Sequence, residues 1–231
     1  MGDSRNKNSE ETKEEYIEKM GKELGPVYYA LWCEVVKVNW TWNEFLELYG
    51  KKSSRIELLN KSAAFFFKTV QDVFWDNTLL HLARLTDPPR SCGKDNLSIQ
   101  ILPALVSKEL RTNIQALVDI TINKSEFSRD WRNRHIAHKD LELALAKNPA
   151  VPLKTASRAS VNEALRTIED VLNAVSRAYM KSTSIFNKSL VSSGAEHLIY
   201  VLDDGLQMEK ERLKRLKSHG WDPELDGRRD L

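Results

Sequence analysis

"PVYYALWCEVVKVNWTWNEFLELYG", Pro26 to Gly50, is the stretch that decides the fold. Tyr28, Leu31, Val35, Val38, Trp42, Phe45 and Tyr49 recur at alternating spacings of three and four. That rhythm places all seven in one stripe along a helix of 3.6 residues per turn. A half-buried strand needs apolar residues at every second position, and this stretch does not offer them. Gly50 ends the helix. On its other side, "SEETKEEYIEKMGKELG" predicts a charged helix from Ser9 to about Gly25, and Pro26 suits the first turn of the next one.

Further along, Ile56, Leu59, Ala63, Phe66, Val70, Val73 and Leu80 predict a helix over about Ser54 to Thr86, interrupted at Asn77. Its "AAFFF" run adds a second apolar face and marks it as central. "DPPRSCGKDN" reads as a loop, with two prolines, a glycine and no period. Ile99, Leu102, Val106, Leu110, Ile114 and Leu117 predict a helix over about Leu97 to Asn123, with Pro103 early in it. "LAKNPAVPLKTAS" is a linker. Ser160-Val161-Asn162-Glu163 has the form of a capping box. It opens a helix through Val161, Leu165, Ile168, Leu172, Val175, Tyr179 and Phe186, which Ser192, Ser193 and Gly194 break. A last helix, about Ala195 to Ser218, ends on the basic run Lys210 to Lys217, which complements a helix C-terminus.

The prediction is an all-α protein, an antiparallel helical bundle with additional N- and C-terminal helices. Residues 1–8 are expected to be disordered, 9–218 to form a single helical domain, and 219–231 to be a tail. Only 9 glycines and 7 prolines in 231 residues fit long helices. With 35 basic and 33 acidic residues the net charge is +2, so overall charge announces neither a nucleic-acid nor a membrane partner. Cys33 and Cys92 have neither CxxC nor CxxH spacing. "MGDSRNKNSEETKEE" has no apolar run, and Asn6 stands where a myristoylation motif wants Ser or Thr. No uncharged run approaches about 18 apolar residues. The expectation is a cytoplasmic protein with no membrane partner.

One stretch resists the helical template. "RDWRNRHIAHKD", Arg129 to Asp140, holds three arginines, two histidines and two aspartates. A solvated helix face is its simplest reading. His135, His138 and Asp140 do not make a metal site: the histidines are three apart and no further ligand cluster accompanies them. There is no GxSxG nucleophile turn and no GxxxxGK[ST] loop. No cofactor is expected. Arg134 and His138, four apart, share a face. Arg132 and His138, six apart, point about 240° from each other on an ideal helix. One helix aims both at one point only if it unwinds near His138, or if a second molecule supplies the missing group. Trp32, Trp40 and Trp42 invite a base-stacking reading, but at helical spacing they fit core or interface.

Arg132-Asn133-Arg134-His135-Ile136-Ala137-His138 resembles the R-x(4–6)-H signature of HEPN domains, with a polar residue after the arginine. Together with the flanking "HLARLTDPP…GKDNLSIQ", His81 to Gln100, it resembles the AbiU-type HEPN proteins of abortive-infection systems over roughly residues 26 to 205. The resemblance implies a helical bundle that dimerises, with two copies of the motif meeting in one cleft. It implies a metal-independent endoribonuclease whose catalytic residues are Arg132, Asn133 and His138. Arg134, His135 and Asp140 are placed as supporting or RNA-binding residues. The implied partners are an RNA substrate, a second copy of the chain, and an antitoxin or other defence-system protein. Lys139 and Asp140 stand where some HEPN toxins carry a nucleotidylated H-x-Y tyrosine, so this sequence does not carry that mode of inactivation.

The chemistry suits the residue types. RNA brings its own nucleophile, the 2′-OH, so no metal-bound water is required. Histidine serves as base or acid near neutral pH. Arginine offers a permanent charge to the phosphate. Two histidines juxtaposed across a dimer supply base and acid together. The alternative is a non-catalytic helical HEPN module that binds nucleotide, RNA or a protein partner through the same surface.

Overall fold

The structure is a computed structural model that describes residues 9–146, 151–186, 193–222 and 227. The expectation of disorder for 1–8, part of the linker at 147–150 and most of the 219–231 tail lie outside these residues. Among the described residues the chain is all-α, built from α1 (Ser9–Tyr49), α2 (Ser53–Leu85), α3 (Leu102–Leu105), α4 (Lys108–Trp131), α5 (Leu141–Ala144), α6 (Arg158–Met180) and α7 (Ala195–His219). Two short strands, β1 (Arg90–Ser91) and β2 (Lys94–Asp95), pair antiparallel inside the predicted loop. Cys92 and Gly93 turn that hairpin with φ of 49° and 79°, the positive angles that a tight hairpin turn demands. Two residues per strand are too few for a sequence period to show. No described helix is long and apolar enough to cross a membrane.

The chain divides into two compact units, one of Met1–Trp42 with Trp75–Ser189 and one of Asn43–Phe74 with Leu190–Leu231. In the first, the predicted stripe is the core: Tyr28, Leu31, Val35, Val38 and Trp42 are buried with Val161, Leu165, Ile168, Leu172 and Val175. Burying a large apolar side chain stabilises by roughly 1.5–3 kcal/mol, so this seam dominates the unit. Two hydrogen bonds fix its direction. Tyr28 Oη donates to the Leu172 carbonyl at 3.2 Å, and Trp42 Nε1 to Asn162 Oδ1 at 2.6 Å, so α1 and α6 run antiparallel. The same logic orients α4 against α6, from Ser107 N–H to Tyr179 Oη at 2.9 Å and the Lys124–Glu163 ion pair at 2.8 Å. It also orients α1 against α2, through Glu34–His81 at 3.3 Å and the Trp42 and Trp75 rings 6.0 Å apart.

Several predicted boundaries move. The first break is at Gly21 (φ 87°, ψ 170°) rather than at Gly25–Pro26. A residue with a Cβ rarely adopts that φ, and glycine does so freely. The chain reverses there, and Ser9 Oγ meets Tyr29 Oη at 2.5 Å. Gly25 is a site of close approach instead: a Cβ on it would lie 2.6 Å from Ile17 Cα. Pro26 therefore sits inside α1, near the start of its second segment, where it forgoes one bond. The predicted helix from Leu97 begins as a 3-10 turn, Ile99–Ile101, and the short α3 with Pro103 in its first turn. Extended Val106 then separates α3 from α4. The capping box expected at Ser160 is not the start of α6; Ser157 is the N-cap, and its Oγ accepts from the Ser160 N–H at 3.1 Å. α6 ends at Met180, because Lys181 is left-handed (φ 54°), so Phe186 is buried from outside the helix, against Trp32.

In the second unit, Leu48, Leu59, Phe67, Ala195 and Ile199 form the core. The Glu44 carboxylate accepts from the Ala195 N–H at 2.5 Å, placing negative charge at the start of α7 where the helix dipole favours it. Ala63 (φ −164°, ψ 73°) interrupts α2. The second apolar face expected from "AAFFF" does not pack at this run: Phe67 is buried, while Phe65 and Phe66 are 87% and 60% exposed. Consecutive helical residues fan out by about 100° each, so a one-sided core takes one of the three.

Candidate functional site

The motif lies where α4 stops being an α-helix. Phe127 and Ser128 are buried and anchor its last turns. The chain then enters a π-helical turn, Arg132–Ile136, and the Ala137 N–H donates to the Arg132 carbonyl at 2.8 Å, five residues back. Regular helix ends there, and Ala137, His138 and Lys139 are exposed. The Asp140 N–H closes the turn onto the Arg134 carbonyl at 3.0 Å. An α-helix cannot aim Arg132 and His138 at one point; this helix unwinds between them, which is one of the two escapes their spacing requires. π turns are rare and collect at functional positions.

Arg132 is held from two sides. Its Nη1 donates to Asp87 Oδ2 at 2.5 Å, and its Nε to Asn133 Oδ1 at 3.0 Å. Asp87 sits just beyond α2, and Arg129 comes to the same place: its Nη2 donates to the Thr86 carbonyl at 2.6 Å, and its Nε lies 3.8 Å from Asp87 Oδ1. The loop carrying Asp87 is itself fixed. Buried Ser98 places its hydroxyl within 2.5 Å of the Asp87 carbonyl and 3.2 Å of the Leu85 carbonyl. Gln100 Nε2 donates to the Thr86 carbonyl at 2.8 Å. Asp87 is a residue that motif reading alone missed. Its signal was the aspartate closing "LARLTD", a lone acid at the mouth of a proline-rich loop.

On the other side of the turn, Arg134 is spent within the chain. It meets Asp140 at 3.2 Å and Asp130 at 3.4 Å, and donates to the Val151 carbonyl at 2.5 Å. Hydrogen bonds from the Leu143 N–H and Arg134 hold the Asp140 carboxyl below its ordinary pKa, and the bond to Asp140 raises that of Arg134. Asp140 also caps α5, accepting from the Glu142 and Leu143 amides at 3.0 and 3.1 Å. The linker is strapped to the motif: the Lys154 N–H donates to Asp130 Oδ2 at 2.8 Å, and Trp131 Nε1 to the Lys154 carbonyl at 2.8 Å. The His135 ring meets the Trp131 ring edge-on at 5.3 Å.

The six residues singled out from the sequence thus separate. Arg132 and Asn133 join Asp87. Arg134 and Asp140 pair with each other. His135 meets Trp131 edge-on. His138 is exposed, and no described residue bonds to its imidazole. Among the described residues no group of three or more His, Cys, Asp or Glu could hold a metal ion.

Comparison with known proteins locates this arrangement. No curated protein and no solved structure matches the chain. The model of the AbiU2 family of HEPN proteins matches residues 21–195, which takes in the reversal at Gly21, the Asp87 loop and the whole motif. The chain belongs to the HEPN AbiU2 family.

Proposed function

We propose that the protein is a metal-independent endoribonuclease of HEPN type, acting as a toxin or phage-defence effector. The observation that carries this reading is the unwound turn after α4. It leaves His138 exposed and without a hydrogen-bond partner among the described residues, six residues from an arginine whose guanidinium is fixed by Asp87 and Asn133. His138 takes the 2′-OH proton, or gives one to the leaving 5′-oxygen. Arg132 places charge beside the phosphorane, and Asn133 holds Arg132 in plane. Each of those roles needs a group poised at the surface of a rigid element, where a substrate can reach it. A homodimer bringing two His138 side chains together supplies acid and base in one turnover.

A specific observation favours the second reading, a non-catalytic HEPN module. Asp87 already neutralises Arg132, as it would if the pair only stabilised the fold. One comparison separates the two. Wild type and His138→Ala are incubated with single-stranded RNA in EDTA. The enzyme reading expects cleavage by wild type, products ending in 2′,3′-cyclic phosphate and 5′-OH, and a loss of about 10²–10⁴ in rate for the variant. Helical circular dichroism should be unchanged, because His138 is exposed. Equal rates end the enzyme reading and promote the binding module.

A further inference from the structure

α7 begins where the AbiU2 match ends, at residue 195. It is 25 residues long, yet only Ala195 and Ile199, in its first two turns, are buried. A helix in a protein draws most of its stability from packing an apolar stripe, and here that stripe is covered at one end alone. A second stripe continues beside it. Leu198, Val201, Gly205, Met208, Arg212 and Arg215 follow one another at spacings of three and four, the 3.5-residue period of a seam along which two helices pack. Leu198 and Val201 are exposed, and Met208 is 71% exposed. From Val201 to Arg215 the seam borders an open groove of about 660 Å³, and nothing occupies the space over Gly205.

The charges of α7 indicate which helix would cover the seam. Residues 195–209 hold Glu196, Asp203, Asp204 and Glu209 and no Lys or Arg, whereas 210–219 hold five Lys or Arg and the single acid Glu211. The two halves therefore carry formal charges of −4 and +4. The helix dipole favours such a bias only within the first and last turns; Asp203, Asp204 and Lys210 lie in the middle. Asp204, Lys210 and Lys214 have no ion-pair partner among the described residues. A helix acidic in one half and basic in the other is its own complement when a second copy lies antiparallel, which is the condition for a two-fold interface.

We infer that the exposed seam of α7 is a self-association surface, on which α7 of a second copy lies antiparallel, acidic half against basic half. The two-fold axis passes between Gly205 and Met208. Arginine stems cover the partner's Leu198 and Val201, and Asp204 comes within reach of the partner's Arg212. This surface is separate from the pairing of motifs proposed above. Its residues belong to the other compact unit, and it holds whether or not the motif cleaves RNA. A stripe about 37 Å long and about 10 Å wide covers about 370 Å² per copy, under half of the roughly 800 Å² per partner of a stable interface. The contact is therefore weak. It forms at high protein concentration, where it joins dimers already paired through the motif.

The test follows the full chain, without RNA, by sedimentation equilibrium from micromolar to near-millimolar concentration. The mass of wild type should double over that range, and added salt should move the doubling to higher concentration. Met208→Glu, at a position exposed in the single copy, should abolish the doubling and leave the helical circular dichroism unchanged. Asp204→Lys and Arg212→Glu should each raise the concentration required by about tenfold, because each change acts twice across the two-fold axis. The double variant exchanges the two charges and should recover wild-type association. A wild type that does not double, a doubling that survives Met208→Glu, or a double variant no better than either single one overturns the inference. Failure to cleave RNA bears on the motif alone and leaves the α7 surface standing.

Discussion

Asp87 and Arg132 form an ion pair at 2.5 Å across 45 residues of chain. Both side chains are only about a fifth exposed (18% and 22%), and Arg129 shares the carboxylate at 3.8 Å. The pair ties the end of α2 to the end of α4. It also fixes the guanidinium that the proposed chemistry needs.

Asp87→Asn should therefore separate orientation from attraction. Removing the negative charge leaves RNA binding as strong or stronger, while Arg132 loses its fixed angle. Steady-state kinetics on a short RNA should show kcat falling by about 10- to 100-fold, with KM unchanged or lower. Asp87→Glu should restore part of kcat. If KM rises while kcat holds, Asp87 is not a positioning residue.

Assembly gives the second prediction. A composite site needs two copies of the motif, so sedimentation at micromolar concentration should show twice the 26.6 kDa mass of the chain. A monomer that still cleaves RNA would remove the two-histidine mechanism.

The third concerns pH. His81 is buried, and burial is the largest influence on it, holding its pKa below the ordinary 6.5 despite the opposing pull of Glu34; Arg84 and Lys37 add to the lowering. The unfolded chain then takes up this proton more readily than the folded one, so stability rises with pH in this range. The contribution is fully present above about pH 6.5 and is lost as pH falls through the folded value. Urea unfolding of wild type should weaken progressively below pH 6.5, and His81→Gln should flatten that slope. An identical slope in the variant would assign the pH dependence elsewhere.

The fourth concerns the reversal in α1. Gly25→Ala puts a methyl group 2.6 Å from Ile17 Cα and 2.7 Å from the Tyr16 carbonyl. Both are backbone atoms that cannot rotate away. Overpacking of this kind costs about 1–3 kcal/mol, to be read as a lower urea midpoint. Gly205→Ala, with open space around it, is the control and should not destabilise.

The helices were legible wherever a 3.6-residue stripe ran into a shared core, as from Tyr28 to Trp42 or Val161 to Val175. Their breaks were not. Gly21 and Gly25 look alike in sequence, and only packing against Tyr16 and Ile17 tells the turn from the close approach. Ser157 and Ser160 are both good caps, and it is Ser157, in extended backbone, that opens α6. The site was legible as a composition: arginine and histidine crowded where a core helix should be apolar. Its partners were not, because Asp87, Val151 and Lys154 reach the motif from distant parts of the chain, and no local period encodes that.

The π turn after α4 makes the loop length itself a determinant. It holds one residue more than an α-helical turn would between Arg132 and Ala137. Deleting a residue between Arg132 and His138 removes the slack that the wide turn holds and shortens the chain between the two side chains. Substitution of Ile136 or Ala137 leaves that slack in place. The register from Arg132 to His138, more than the side chains that fill it, is what this end of α4 preserves.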